Sequence, residues 1–338
     1  MRDSFKYTSL GFLILLCGLN SCREKELPVL KTDPVTNITG NSAICGGNVT
    51  DEGSGPVIDM GVCWKKSINP TIDDEKRLVD GGPGPFVCNL SHLNGTTTYY
   101  VRAYATNEAG TGYGNEISFT TAPADINFSE WITYGSLTDQ EGNVYKTVKI
   151  GNQTWMAENL RSTHYQDGST IPEVTDLNAW MLLTSGAYCF YNNDILNRNT
   201  YGAIYNWYTI SDQHKICPAG WHIPTDEEWC QMEIYLDASV VCSELGSHGT
   251  DVGGKMKETG TTHWTSPNTG ATNISGFTGL PGGYYLAGFS ELNHGGLFWS
   301  SSSSSSFALN RVLTYSSAII SRFNNDKSIG FSVRCVKD

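Results

Sequence analysis

The strongest constraint on this chain is a rhythm in its first third. Across residues 29–121, short runs of strand-forming residues alternate with clusters of glycine, proline, asparagine and aspartate. The runs are 42–49, 57–64, 86–90, 98–106 and 114–120, and the breaks fall at Gly46-Gly47, 51–55, 81–85, Asn94-Gly95 and 107–112. Short strands at this spacing predict an all-β sandwich or barrel. The clearest run is Tyr99-Tyr100-Val101-Arg102-Ala103-Tyr104-Ala105. Its two-residue period predicts that Tyr99, Val101, Ala103 and Ala105 face the core, with Tyr100, Arg102 and Tyr104 opposite.

Leu93, Gly95, Thr97, Tyr99, Val101, Ala103 and Ala105 alternate as in the penultimate strands of fibronectin type III domains, with Gly110 and Gly112 in the following turn. Gly61-Val62-Cys63-Trp64 resembles a strand of exported bacterial versions of that fold. The resemblance implies a two-sheet sandwich over residues 29–121 and makes Tyr99 the tyrosine that pins its corner. A spacer role or a ligand-binding role both fit such a domain. Its three cysteines, Cys45, Cys63 and Cys88, cannot all pair among themselves.

A Pro- and Ala-containing connector, residues 121–128, separates this region from one holding eight of the nine tryptophans. That shift predicts a second domain over residues 129–338. Residues 144–150, Gly151-Asn152 and 153–157 read as strand, tight turn and strand. Residues 201–210 read as a helix with Ile204, Trp207 and Tyr208 on one face. Thr225 followed by Glu228 forms a capping-box pattern, Asp226 and Glu227 place negative charge on the positive end of the helix dipole, and Trp229, Met232, Leu236 and Val240 make an apolar stripe. Capping explains this acidic trio without invoking a catalytic pair or a metal site.

Residues 142–160, from Gly142-Asn143-Val144-Tyr145 to Met156-Ala157-Glu158-Asn159-Leu160, resemble the opening of the Fibrobacter succinogenes major paralogous domain. Residues 188–194, 201–208, 217–229, 255–267, Leu280-Pro281-Gly282-Gly283-Tyr284 and 329–338 continue the resemblance in order to the last residue. More distantly, Pro224-Thr225-x-x-Glu228-Trp229 and Gly330-Phe331-x-x-Arg334 are similar to formylglycine-generating enzymes, whose fold is C-type-lectin-like. The second domain is therefore expected to be α+β and C-type-lectin-like. That order implies a disulfide between Cys217 and Cys335.

The functional residues of those relatives do not carry over. Phe298-Trp299-Ser300-Ser301 stands where a calcium lectin has Trp-Asn-Asp, and Cys335 is the only cysteine after Cys242, so a paired-thiolate copper site is missing. The seven histidines show no zinc spacing, and neither a nucleophile elbow nor a phosphate loop occurs. No metal, cofactor or catalytic residue is expected. The run 300–306 reads as a flexible serine loop, and Asn192-Asn193-Asp194 as a turn. Trp264, Tyr284, Tyr285 and Trp299 are candidates for stacking on sugar rings. A net charge of −12 without a basic patch excludes nucleic acid as a partner.

The first residues read as an address. Arg2 and Lys6 precede an apolar run at 10–19, too short to span a bilayer but fitting the core of a secretory signal. It ends in Leu19-Asn20-Ser21-Cys22, which resembles a bacterial lipobox. The expectation is a signal peptide over 1–21, acyl chains such as palmitate on Cys22, and a tether over 22–28. Glu24 and Glu26 resemble the acidic tags of surface-exposed lipoproteins. Together these features predict a lipoprotein of the outer membrane, facing outward, with a non-catalytic role toward a glycan or protein ligand. Two alternatives stay open: an enzyme of unrecognised type using carboxylates of the C-terminal domain, and an envelope component without a ligand.

Overall fold

A computed structural model describes residues 25–338 except residue 81. The expected signal peptide and the lipidation position, Cys22, lie outside the described residues.

The first region is built of strands alone: β1 (Val29–Thr32), β2 (Ser42–Asp51), β3 (Asp59–Lys65), β4 (Glu75–Leu78), β5 (Gly84–Ser91), β6 (Thr98–Asn107), β7 (Gly110–Tyr113) and β8 (Ile117–Thr120). They form two sheets, ordered β1-β2-β5 and β4-β3-β6-β7, with β8 also on β6. This is the sandwich of a fibronectin type III-like domain. The sheets meet closely at Gly47, where a Cβ would lie 2.6 Å from the Ala103 side chain. Val101, Ala103 and Ala105 are buried as their period predicts. Tyr99 accepts a hydrogen bond on its hydroxyl from the Asn94 N–H at 3.0 Å, closing the expected corner.

Two expectations for this region are corrected. Tyr104, assigned to the outer face, is fully buried, and its hydroxyl has no hydrogen-bond partner among the described residues. Gly110 and Gly112 lie in strand β7, paired with Asn107 and Ala105, rather than in a turn. The Asn107 carboxamide accepts from the Ala109 N–H at 2.8 Å, which makes the reversal one step tighter. Cys45, Cys63 and Cys88 are buried free thiols.

The second region is also mostly strand. A five-stranded sheet runs in the order Trp221–His222, Val336–Lys337, Gln153–Met156, Val144–Ile150, Gly135–Thr138. A larger nine-stranded sheet centres on Gly282–Tyr285, Gly295–Ser303 and Phe307–Thr314. Only one helix exceeds five residues among those described, Asp226–Leu236. The expected hairpin forms, with Ile150 opposite Gln153 and Gly151 at φ +60° in the turn.

The helix expected over 201–210 is not continuous. Arg198–Tyr201 is a short helix that ends at Gly202, whose φ is +74°. Ile204–Asn206 is then a strand, paired with Tyr188–Cys189 on one side and Gly330–Phe331 on the other. A second single-turn helix, Trp207–Ile210, starts when the Asn206 side chain accepts from the Thr209 N–H. Paired backbone on both flanks outweighs the helical spacing of the apolar residues, which local periodicity cannot register. The run at 300–306 is corrected as well: Ser300–Ser303 complete a strand, with Ser300 fully buried. Asn192 and Asn193 adopt positive φ in a turn, as expected.

The capping box is complete. The Thr225 hydroxyl accepts from the Glu228 N–H at 3.2 Å, and the Glu228 carboxylate accepts from the Thr225 N–H at 2.8 Å. Trp229 and Met232 then face the core. Glu228→Ala should destabilise the protein by roughly 0.5–2 kcal/mol in equilibrium urea unfolding, the usual worth of a cap. A loss under ~0.3 kcal/mol would show the box to be ornamental.

Candidate functional site

Where the chain closes on itself, Cys217 and Cys335 form a disulfide with their Cα atoms 6.0 Å apart. This is the pairing implied by the lectin-like order. Beside it the turn Pro218–Trp221 is set by Gly220 at φ +78° and by the Trp221 N–H donating to the Pro218 carbonyl at 3.0 Å. The Asp338 N–H donates to the Gly220 carbonyl at 3.1 Å, so the last strand is sewn to this turn. A second disulfide, Cys230–Cys242, which the residue pattern alone did not pair, ties the long helix to the loop after it.

These constraints frame a cleft of about 390 Å³, the size of a small-ligand site. Ile210, Ile216, Trp221 and Ile223 form its apolar floor, while Gln166, Asp212, Lys215 and Ser301 stand around it with both signs of charge. His222 lies at one side, with Nδ1 2.6 Å from an Asp338 carboxylate oxygen and Nε2 2.8 Å from Glu228. Partial burial disfavours the imidazolium, but the Asp338 and Glu228 carboxylates outweigh it and raise the His222 pKa above its ordinary value. With both nitrogens engaged by carboxylates, the ring has no free lone pair for abstracting a proton. His222 therefore clips the capped helix and the last strand to Trp221–His222.

A folded-state pKa above the unfolded value of about 6.5 gives this clip a definite pH signature. Its contribution is fully present below the unfolded pKa and is lost as pH rises through the folded value. His222→Gln should flatten the decline in stability on the alkaline side of pH ~6.5, measured by urea unfolding from pH 5 to 9. An unchanged slope would show that His222 is uncoupled from folding.

The four aromatic residues expected to stack on sugars do not form a platform. Trp264 and Trp299 are buried, their indole N–H groups donating to the Gly279 and Tyr205 carbonyls at 3.0 and 2.9 Å. Tyr285 is 2% exposed and stacks on Phe289 with ring centroids 4.3 Å apart. Tyr284 is half-buried against the core. A sugar stacks only on an open face, so the expectation is corrected for Trp264, Tyr285 and Trp299, which are core.

The acidic trio after Thr225 has a further task that spacing did not reveal. Asp226 pairs with Arg311 at 2.8 Å and with Arg322 at 2.8 Å, and Glu233 pairs with Arg311 beneath it. Lys257 is wholly buried, its ammonium donating to the Thr269, Thr314 and Ser317 carbonyls at 3.0, 2.8 and 2.8 Å. Burial pulls its pKa down to about 8. Glu258 and His263 form a buried pair at 2.8 Å. Each group is engaged by a partner inside the fold, as buried charge requires. Among the described residues, no group of three or more His, Cys, Asp or Glu side chains converges as a metal site.

The sandwich and the β-rich region after it make this a two-part chain. Residues 148–337, more than half of this one, match the Fibrobacter succinogenes major domain family, and the chain belongs to that family. No curated protein sequence matches it. Among solved structures, one similar chain is the sensor domain of the anti-sigma factor RsgI4 in Pseudobacteroides cellulosolvens. It is 20% identical, with 28% of this chain and 93% of that one covered and a TM-score of 0.24. Another is a fibronectin type III domain from human KIAA0970 protein, 17% identical over 32% of this chain and 85% of that one, with a TM-score of 0.21. Nothing about ligands follows from likeness at this level.

Proposed function

We propose that this chain is an exported lipoprotein of the cell envelope, facing outward, whose C-terminal domain is a C-type-lectin-like, non-catalytic module for a glycan or protein ligand. The observation that carries the reading is the cleft beside Cys217–Cys335, with an apolar floor, a polar rim and a disulfide to hold its shape. Two disulfides fit an oxidising compartment, and the lipobox-like Leu19-Asn20-Ser21-Cys22 supplies the anchor. The sandwich in front serves as a spacer or as a second binding surface.

Glycan-array and defined-peptide binding by the full chain, repeated with Asp212→Ala and Lys215→Ala, tests the module. Binding lost in both variants at unchanged melting temperature supports the cleft. No binding by the native chain, or binding indifferent to both substitutions, sinks it. For the anchor, Cys22→Ser should abolish fatty-acid labelling and release the protein from membranes, because several acyl chains at ~0.8 kcal/mol per buried methylene supply the attachment. A variant that still fractionates with membranes in high salt is held by something else.

A further inference from the structure

The helix Asp226–Leu236 meets the hairpin of residues 144–156 through Trp229 on Trp155, and its one tyrosine does not join the core. Tyr235 is 66% exposed. Its ring nevertheless has a fixed bed at Gly151, where a Cβ would lie 3.0 and 3.1 Å from two ring carbons. Gly151 has no Cβ, and its φ of +60° suits glycine at the hairpin turn. The ring therefore packs on bare backbone on one side and stands open to solvent on the other.

Gln231, Ile234 and Tyr235 share a helix face by their i, i+3, i+4 spacing. With Ile150, Gly151, Asn152 and Gln153 of the hairpin they enclose a shallow cleft of about 340 Å³. No lining residue is charged, in a chain whose net charge is −12. Exposed Asn152 and Gln231 offer carboxamides, each both donor and acceptor. Gln153 is committed elsewhere, donating to the Glu228 carbonyl at 3.1 Å and accepting from the Trp155 indole at 3.2 Å.

We propose that Tyr235, seated on Gly151 and flanked by Asn152 and Gln231, is a binding subsite for a neutral saccharide. An aromatic face with apolar neighbours accepts the C–H face of a sugar ring, while the carboxamides serve its hydroxyls in either hydrogen-bonding sense. An uncharged lining gives no counter-charge to an acidic sugar or a phosphate. One aromatic ring and a cleft this small fall far short of the ~800 Å² per partner of a stable protein interface. The inference rests on the proposed binding role but not on the cleft beside Cys217.

The test is calorimetric titration of the full chain with cellohexaose, xylohexaose and maltohexaose, and with hexagalacturonate as the anionic probe. At least one neutral hexasaccharide should bind with a dissociation constant on the order of 0.1–1 mM, and hexagalacturonate should not. Tyr235→Ala should weaken binding by roughly tenfold or more, ~1.4 kcal/mol, with an unchanged melting temperature, and Tyr235→Phe should retain it. Failure of all three neutral probes, equal binding of hexagalacturonate, or binding that survives Tyr235→Ala each overturns the subsite. Binding kept in Tyr235→Ala but lost in Asp212→Ala and Lys215→Ala overturns it while leaving the proposed function intact.

Discussion

Removing the Cys217–Cys335 bond, by alanine at both positions, should lower unfolding stability by about 4–5 kcal/mol, or ~2–4 kcal/mol where native strain offsets part of the gain. The bond joins residues 118 positions apart. In the entropy model a closed loop of roughly that length restricts the unfolded chain by ~4.7 kcal/mol at 25 °C. The folded state also loses an organiser. The strand after Cys335 is only Val336–Lys337, with Val336 paired to Trp155 and His222 and Lys337 to Trp221, so few backbone contacts hold it without the disulfide. Replacing Cys230 and Cys242 instead, 12 positions apart, should cost less, under ~3 kcal/mol. Guanidinium unfolding of both double variants decides the matter. Equal losses, or a larger one for the shorter loop, would show that chain entropy is not what these bonds supply.

Arg334→Met should be comparably damaging, by about 3–5 kcal/mol. Arg334 is fully buried, and among the described residues its hydrogen bonds go to one carboxamide and three carbonyls, not to a carboxylate. Its guanidinium donates to the Asn159 side chain at 2.7 Å and to the Met156, Phe277 and Thr278 carbonyls at 3.0, 2.8 and 2.9 Å. It lies over the Phe277 ring at 4.6 Å and the Phe298 ring at 5.7 Å. Methionine matches the packing but leaves four buried acceptors without donors, each costing ~1–3 kcal/mol in isolation. Arg334→Lys should recover little, because a compact ammonium cannot span a planar fork of acceptors. Thermal and urea unfolding of both variants provide the check. Near-wild-type stability in Arg334→Lys would mean that charge alone, not geometry, holds this centre.

Local patterns proved legible where one short segment decides the structure. The strand at 99–105, apart from its buried Tyr104, the Gly151-Asn152 turn and the Thr225–Glu228 box formed as expected. The partner of Cys217 came from resemblance rather than from residue spacing, since spacing leaves many pairings open. The apolar residues of 201–210 misled, because helical spacing also occurs in a segment whose middle is claimed by two neighbouring strands.

The sequence by itself therefore determined the strand rhythm of the first domain, the hairpin, the helix start and the family of the second. The first three depend on turn chemistry, capping or side-chain period, which act over a few residues, and the family rests on resemblance. The tertiary structure alone decided which aromatic rings are open. Trp264, Tyr285 and Trp299 disappeared into the core through contacts with residues up to 94 positions away. Tyr235 stayed out because Gly151, 84 positions earlier, gave its ring a bed without covering its other face. Exposure is set by what packs against a side chain, and in a sheet-rich fold most of those neighbours are distant in sequence.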